Sequence, residues 1–401
     1  MTGKHAGHGH GHPHGRSPGR EGHADRPIVV TWEVTQACDL ACKHCRADAV
    51  PERAAGELTT AEGRAFLEQV KGFGEPYPVV VFTGGDPLER PDLVELAEYG
   101  TGLGLPMAVT PASTPLLTRE ALERLDRAGI RRVALSLDGS TAEAHDGFRQ
   151  EEGSFEIIHR AARDAAEIGL PIQINTTVCR ETVDDLPDIA RLVEELGAVM
   201  WEVFFLVPVG RGTALEGLSP ERHEEVLEWL YRTSKDAPFR LITVEAPFYR
   251  RVGRQVEKRE KAERRARGET VDGRDRPAGP HGSTGDGNGF VFVSHRGEVF
   301  PSGFLPMSGG NVRDGDIVEI YRDSDLFRLV RDKDLLRGTC GQCEFRYVCG
   351  GSRARAFAAH GDLMAEDPFC PYVPAGYDPE VENRRAAFPD GAPEDGPSIV
   401  G

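Results

Sequence analysis

The chain has 401 residues, with 48 Lys+Arg against 65 Asp+Glu, a formal net charge of −17, and 8 Cys. Apolar residues make up 39% of it, which is ordinary for a globular protein and excludes wholesale disorder, collagen and a coiled coil. This length predicts two or three domains. No apolar run approaches the ~20 residues of a membrane span, and no charged-then-apolar leader opens the sequence, so the expected location is cytoplasmic. The acidity disfavours broad nucleic-acid binding, which needs clustered cations. Disulfides are rare in the cytosol, so eight cysteines point to metal, clusters or catalysis.

Residues 1–26 read as a disordered tail. His5, His8, His10, His12, His14 and His23 lie there among Gly and Pro, a composition that serves metal capture or is simply a solvated or tag-like extension. From 27 to 215, short apolar runs at 28–35, 79–83, 107–110, 133–137, 172–178 and 202–206 read as buried strands, with amphipathic helices between them. Thr59 and Glu62 have capping-box spacing ahead of Phe66, Leu67 and Val70. Thr118 caps a helix carrying Leu122 and Leu125, which Gly129 stops, and another helix covers 185–196, ended by Gly197. Six β-then-α units predict an α/β fold, a partial (β/α)6 barrel with its functional loops at the C-terminal ends of the strands.

Residues 216–289 read as a helical bridge and a charged flexible insertion. They comprise an amphipathic helix at 220–235, a charge-dense helix at 250–267 forming an exposed arm, and a Gly-rich stretch at 277–289. Runs at 290–293 and 298–300 flank a turn at 294–297 and predict a hairpin. This hairpin opens a small C-terminal α+β domain, 290–375, that is Cys-rich from 340. Residues 376–401 are a polar tail.

The cysteines divide by spacing. Cys38, Cys42 and Cys45 give C-x3-C-x2-C just after the first strand. A structural zinc site usually wants four ligands and a complete [4Fe–4S] cluster four thiolates. Three thiolates with no fourth nearby leave one iron open to a small molecule, and His44 is either an extra ligand or a packing residue. Cys340, Cys343, Cys349 and Cys370 supply four thiolates, enough for one closed [4Fe–4S] cluster or one zinc ion. Cys179 is left over at the end of the fifth strand, either as a small buried hydrophobe or as a reactive thiol.

Cys38-Asp39-Leu40-Ala41-Cys42-Lys43-His44-Cys45 resembles the signature of the radical S-adenosylmethionine (SAM) superfamily. Further segments follow in the family's order. Thr83-Gly84-Gly85-Asp86-Pro87 is similar to its Gly-Gly-Glu segment, with Asp86 in place of Glu. The resemblance implies that Gly84, Gly85 and Asp86 meet the methionine amino group. It also implies that Ser136 and Asp138, in Ser136-Leu137-Asp138-Gly139, hydrogen-bond the ribose, and that Asn175, with Thr176 and Val178, meets ribose and adenine. His145-Asp146-x-Phe148-Arg149 resembles a segment of the peptide-modifying and haem-modifying branches, in which Arg149 meets the SAM carboxylate or forms a helix-end salt bridge. In this family the cluster on Cys38, Cys42 and Cys45 binds SAM and, given one electron, yields a 5′-deoxyadenosyl radical that abstracts hydrogen from substrate.

The Cys-rich segment resembles the auxiliary-cluster region called SPASM or twitch. Ser302 stands where that region often has a ligand Cys, and Ser352 where haem-pathway relatives carry another. These departures imply one auxiliary [4Fe–4S] cluster, on Cys340, Cys343, Cys349 and Cys370, suited to electron transfer. Arg211, Arg353 and Arg355 are candidates for binding anionic substrate groups or for structural ion pairs. The implied activity is radical SAM oxidoreductase or lyase-type chemistry on a haem or porphyrin precursor. The alternatives are a ribosomal-peptide maturase or enzyme activator and, outside enzymes, an iron–sulfur electron carrier or a zinc scaffold. The chemistry implies a flavodoxin- or ferredoxin-type electron donor, and neither nucleic acid nor membrane is an expected partner.

Overall fold

Seven largely apolar segments run parallel and side by side: β1 (Val29–Thr35), β2 (Val79–Gly84), β3 (Met107–Val109), β4 (Ile130–Ser136), β5 (Ile172–Val178), β6 (Met200–Phe205) and β7 (Arg240–Val244). The computed structural model describes residues 23–269 and 284–381. Expectations for the first 22 residues, for 270–283 and for 382–401 therefore lie outside the described residues. All six expected strands are present, so the partial barrel stands, with β7 as a seventh parallel strand. The five residues of β7 pair with β6 from Met200↔Arg240 to Phe204↔Val244.

Helices α1 (Thr60–Lys71), α2 (Leu93–Gly102), α3 (Arg119–Arg127), α4 (Ala142–Arg149), α5 (Ser154–Ile168) and α6 (Leu186–Glu195) connect these strands, followed by α7 (Pro220–Asp236) and α8 (Tyr249–Ala266). The local signals read from sequence operate as expected. Thr59 and Glu62 form a reciprocal capping box on α1. Thr118 accepts from Ala121 N at the start of α3, and Gly129, at φ +89°, follows its end. Alternation along β1 sends Val30, Trp32 and Val34 into the helix-covered core and turns Glu33 to the opposite face. Trp32 lies edge-on to Phe66 of α1 at 5.2 Å and to Phe82 of β2 at 5.5 Å. Gly63 of α1 is small because a Cβ there would stand 2.6 Å from the Trp32 ring.

The predicted hairpin forms from β8 (Phe290–Val293) and β9 (Val299–Phe300). Its placement was not legible in sequence: β8 pairs parallel with β1, from Val29↔Phe290 to Trp32↔Val293. The sheet order is thus β7-β6-β5-β4-β3-β2-β1-β8-β9. Laid flat at about 4.8 Å per strand, its two edges would lie roughly 38 Å apart. Instead Ser302, just beyond β9, donates its hydroxyl to Glu245, just beyond β7, at 2.8 Å. The sheet is therefore curled, and the segment after β7 meets the segment after β9.

The charge-dense helix is not an exposed arm along its first half. Tyr249, Arg251, Val252, Gly253 and Val256 of α8 are buried, and a Cβ at Gly253 would stand 2.7 Å from the Tyr231 ring of α7. Its charges mask an apolar stripe that a composition reading overlooks. The C-terminal segment adds α9 (Ile317–Asp323), α10 (Asp325–Arg331), α11 (Gly338–Gln342) and α12 (Arg353–His360). Ile317, Tyr321 and Phe327 join the same core as the barrel strands. The tail is docked where it becomes described: Tyr321 donates to the His23 carbonyl at 2.5 Å.

Candidate active site

The loop after β1 carries Cys38, Cys42 and Cys45 at the C-terminal end of the sheet. Cys38 and Cys42 are buried with Leu40, and Cys45, Ala49 and Ala112 pack on them. Leu40 N donates to Cys38 Sγ at 3.4 Å. Burial, with Asp86, Cys42 and Cys45 adding to it, pushes the Cys38 thiol up to about 12. As a free thiol it stays protonated, so its thiolate needs a cationic partner.

Gly84 and Gly85 let the chain run against this loop. Gly85 N donates to Thr35 O at 2.9 Å and Asp86 N to Ala37 O at 2.6 Å. A Cβ at Gly84 would stand 2.2 Å from Thr35 O, and one at Gly85 2.2 Å from Ala37 O. The close approach that demands glycine is thus to the cysteine loop itself. Asp86 accepts from Leu88 N (3.0 Å), Ala112 N (3.2 Å) and Thr114 Oγ1 (2.7 Å), tying the loop after β2 to that after β3. Burial nevertheless pushes its carboxyl up to about 6.

Ser136 and Asn175 are register partners on β4 and β5, both half-buried, and Asn175 Oδ1 accepts from Gln173 at 2.7 Å. Asp138 does not extend toward them as a free acceptor. Its Oδ1 accepts from Thr177 N at 2.6 Å, and its Oδ2 lies 2.6 Å from Arg149 Nη2 in a buried ion pair. Of the two readings of Arg149, the structure shows the salt bridge, and Arg149 Nη1 also stands 3.8 Å from Cys42 Sγ.

The segment 145–149 supports this pair residue by residue. His145 Nδ1 accepts from Asp138 N at 3.1 Å, and its Nε2 faces Ser154 Oγ at 3.1 Å. Burial, with Arg149 nearby, lowers His145 to about 4 and keeps it neutral. Asp146 accepts from Gly153 N and Phe155 N, joining α4 to α5. Phe148 stacks on His44 at 4.8 Å and 8°, so His44 is a packing residue here, lowered to about 4 by burial. Cys179 is fully buried with Phe148 and Leu206, a small hydrophobe rather than an exposed thiol. Arg211 turns back on the loop, donating to Cys42 O (3.0 Å) and Ala49 O (3.2 Å).

One buried charged group close to the cysteine loop was not foreseen. Glu33 of β1 lies 3.1 Å from Arg46 and 2.7 Å from His295, and Arg46 rests over Phe292. A carboxylate inside an apolar strand run was its available signal.

The second cysteine set lies around α11 and the start of α12. Cys340, Cys343 and Cys349 accept from Asp367 N, Phe345 N and Gly351 N, each at 3.4 Å, and Arg251 Nη2 stands 3.4 Å from Cys370 Sγ. Burial pushes Cys340 up to about 11 and Cys349 up to about 12. Ser302 and Ser352 converge on one carboxylate: Ser302 donates to Glu245 Oε1 at 2.8 Å and Ser352 to Oε2 at 2.5 Å. Glu245 adopts φ +59° to present it. Arg355 pairs with Asp367 at 3.0 Å, while Arg353 donates to the carbonyls of Leu363, Ala365 and Gly350. Of the two readings of these arginines, anion binding or a structural role, the structure shows the structural one: an ion pair for Arg355 and carbonyl contacts for Arg353.

The Radical SAM superfamily profile matches residues 32–193. An AdoMet-dependent heme synthase of Methanosarcina barkeri is 41% identical over 348 residues, 87% of this chain and 97% of that protein. The chain belongs to the radical SAM superfamily. A second AdoMet-dependent heme synthase, from Oleidesulfovibrio alaskensis, is 42% identical over 86% of this chain and 87% of its own length. SuiB of Streptococcus suis, solved bound to S-adenosylmethionine, shares the fold of this radical SAM enzyme with a TM-score of 0.67. That likeness covers 87% of this chain and 78% of SuiB at 15% identity. Radical SAM membership implies a [4Fe–4S] cluster and SAM, and the three-thiol loop has the donor chemistry for such a cluster. No described helix is long and apolar enough to cross a membrane.

Glu245 gives this radical SAM enzyme a pH signature. Burial, then the Asp286 carboxylate, pushes its carboxyl from 4.5 up to about 8. Between those values the folded chain holds a proton that the unfolded chain has released, so stability falls as pH rises through this window. Glu245→Gln is expected to flatten that fall, read as the thermal midpoint across the window. An unchanged slope would count against it.

Proposed function

We propose that this radical SAM enzyme acts on a haem precursor, decarboxylating a propionate side chain of an iron porphyrin. The observation that carries this reading is 41% identity spanning 97% of a heme synthase. When bound, the cluster and SAM supply a 5′-deoxyadenosyl radical able to take a hydrogen atom from carbon. Cys38, Cys42 and Cys45 would hold that cluster. Gly84, Gly85 and Asp86 would meet the methionine end of SAM, and Ser136 and Asn175 its ribose. Their shared position at the C-terminal end of the sheet supports this set. Asp138 and Arg149 act as positioning residues, because their charges are spent on each other beside Cys42. Burial of Cys38 and Cys42 beneath the curled sheet's loops keeps water from the site.

Loss of one hydrogen atom from the propionate, then of CO2, leaves a vinyl group and one electron. An oxidant must take that electron. Cys340, Cys343, Cys349 and Cys370 would hold an auxiliary [4Fe–4S] cluster suited to accept it. A flavodoxin- or ferredoxin-type protein would supply the initiating electron, in the cytoplasm.

The test is anaerobic turnover of the reconstituted, reduced enzyme with iron-coproporphyrin and SAM. The expected products are 5′-deoxyadenosine, CO2 and a vinyl-bearing porphyrin. SAM cleavage with no change in any porphyrin, but a mass change in a peptide encoded beside the gene, would replace this reading with peptide maturation.

A further inference from the structure

Three cations, Arg353 buried and Arg250 and Lys333 half-buried, lie beside the four-cysteine set with no carboxylate ion pair among the described residues. Arg353 is buried and its side chain reaches only carbonyls. Its Nη2 would stand 2.5 Å from a Cβ at Gly351, a point itself 3.2 Å from Cys340 Sγ. Lys333 Nζ would stand 2.4 Å from a Cβ at Gly350, the residue after Cys349. Arg250 donates to Val348 O and to Thr284, again close to Cys349.

The nearby carboxylates balance these charges only in part, Asp286 acting on Lys333 through space without pairing with it. Asp367 is taken by Arg355 and Glu224 by Arg251. Asp286 accepts from the backbone N–H groups of Arg353 and Ala354. Unpaired charge in a low-dielectric interior is unfavourable unless an opposite charge sits beside it. Four thiolates around an iron–sulfur core carry net negative charge and sit where these cations converge. A nearby positive charge stabilises the more negative, reduced state of such a centre.

We propose that Arg250, Lys333 and Arg353 form a cationic collar that raises the reduction potential of the centre on Cys340, Cys343, Cys349 and Cys370, fitting it to take the electron left by the substrate. This rests on the auxiliary-cluster reading above. The three are positioning residues that act through the centre and touch no substrate.

The experiment is an EPR-monitored potentiometric titration of the anaerobically loaded enzyme, with iron, sulfide and zinc measured on each sample. Cys42→Ala, which lacks a complete first site, identifies the auxiliary signal. Lys333→Met and Arg250→Gln are each expected to shift the auxiliary midpoint downward by at least tenfold in the reduction equilibrium, about 59 mV for one electron. The first-cluster midpoint should stay in place, and Lys333→Arg should keep the wild-type value. Full cluster content with an unmoved auxiliary midpoint overturns the collar. If Lys333→Met cannot hold the centre, restoration by Lys333→Arg supports a charge role, and failure to restore overturns it. Zinc in place of iron at the four cysteines of the wild type overturns the underlying reading, and the collar with it.

Discussion

Cys42→Ala is expected to abolish reductive cleavage of SAM, whereas Cys370→Ala, folded and loaded at the first site, should retain cleavage uncoupled from product. The asymmetry follows from where the sulfurs sit. Cys42 is one of only three thiols on the loop after β1, and its sulfur faces Arg149. No spare thiol can replace it, because Cys179 is sealed between Phe148 and Leu206. Cys370 belongs to the other set, held beside Arg251 of α8. The measurement is 5′-deoxyadenosine formed per first cluster, alongside porphyrin product. Equal and total loss of cleavage in first-cluster-loaded Cys370→Ala would sink this division of labour.

The second large effect concerns stability. Asp138→Ala should cost about 3–5 kcal/mol, because it strands the Arg149 guanidinium in the interior. Asp138 is fully buried and Arg149 nearly so. Burial alone would push the Asp138 carboxyl up; Arg149, with His44, His145 and the Thr177 N–H, more than reverses this and holds it below its usual 3.8. The sign follows: this stabilisation is present above the ordinary carboxylate value and is lost as pH falls through the lower folded value. Asp138→Asn should therefore lose part of the acid limb of the stability profile. The double variant Asp138→Ala/Arg149→Met should be milder than Asp138→Ala alone, since removing both charges strands neither. Urea unfolding reads all three, and a loss under about 1 kcal/mol for Asp138→Ala would refute the account.

What sequence made legible was local. The spacing of Cys38, Cys42 and Cys45 lies on one loop, the capping box of Thr59 and Glu62 spans one turn, and six strands announce themselves by apolar runs. What escaped depends on distant segments meeting. β7 is five residues with an arginine at its head, and its pairing with β6 decides its state. The hairpin was visible, but not that β8 would lie beside β1 across more than half the chain. Asp86, Asp138 and Arg211 carry the residue types a ligand would want, yet each is engaged by neighbouring loops. Glu245 gave no signal, since its meaning comes from Ser302 and Ser352.

That meeting has a consequence for synthesis. Every parallel strand from β1 to β7 emerges from the ribosome before Ser302, and Ser352 lies 107 residues after Glu245. A nascent chain therefore holds a complete cysteine loop inside a barrel whose side is still open. The clasp shuts only when the final segment, with its own four cysteines, arrives. A chain truncated before Ser352 keeps its first cysteine loop but lacks the second tie across its seam.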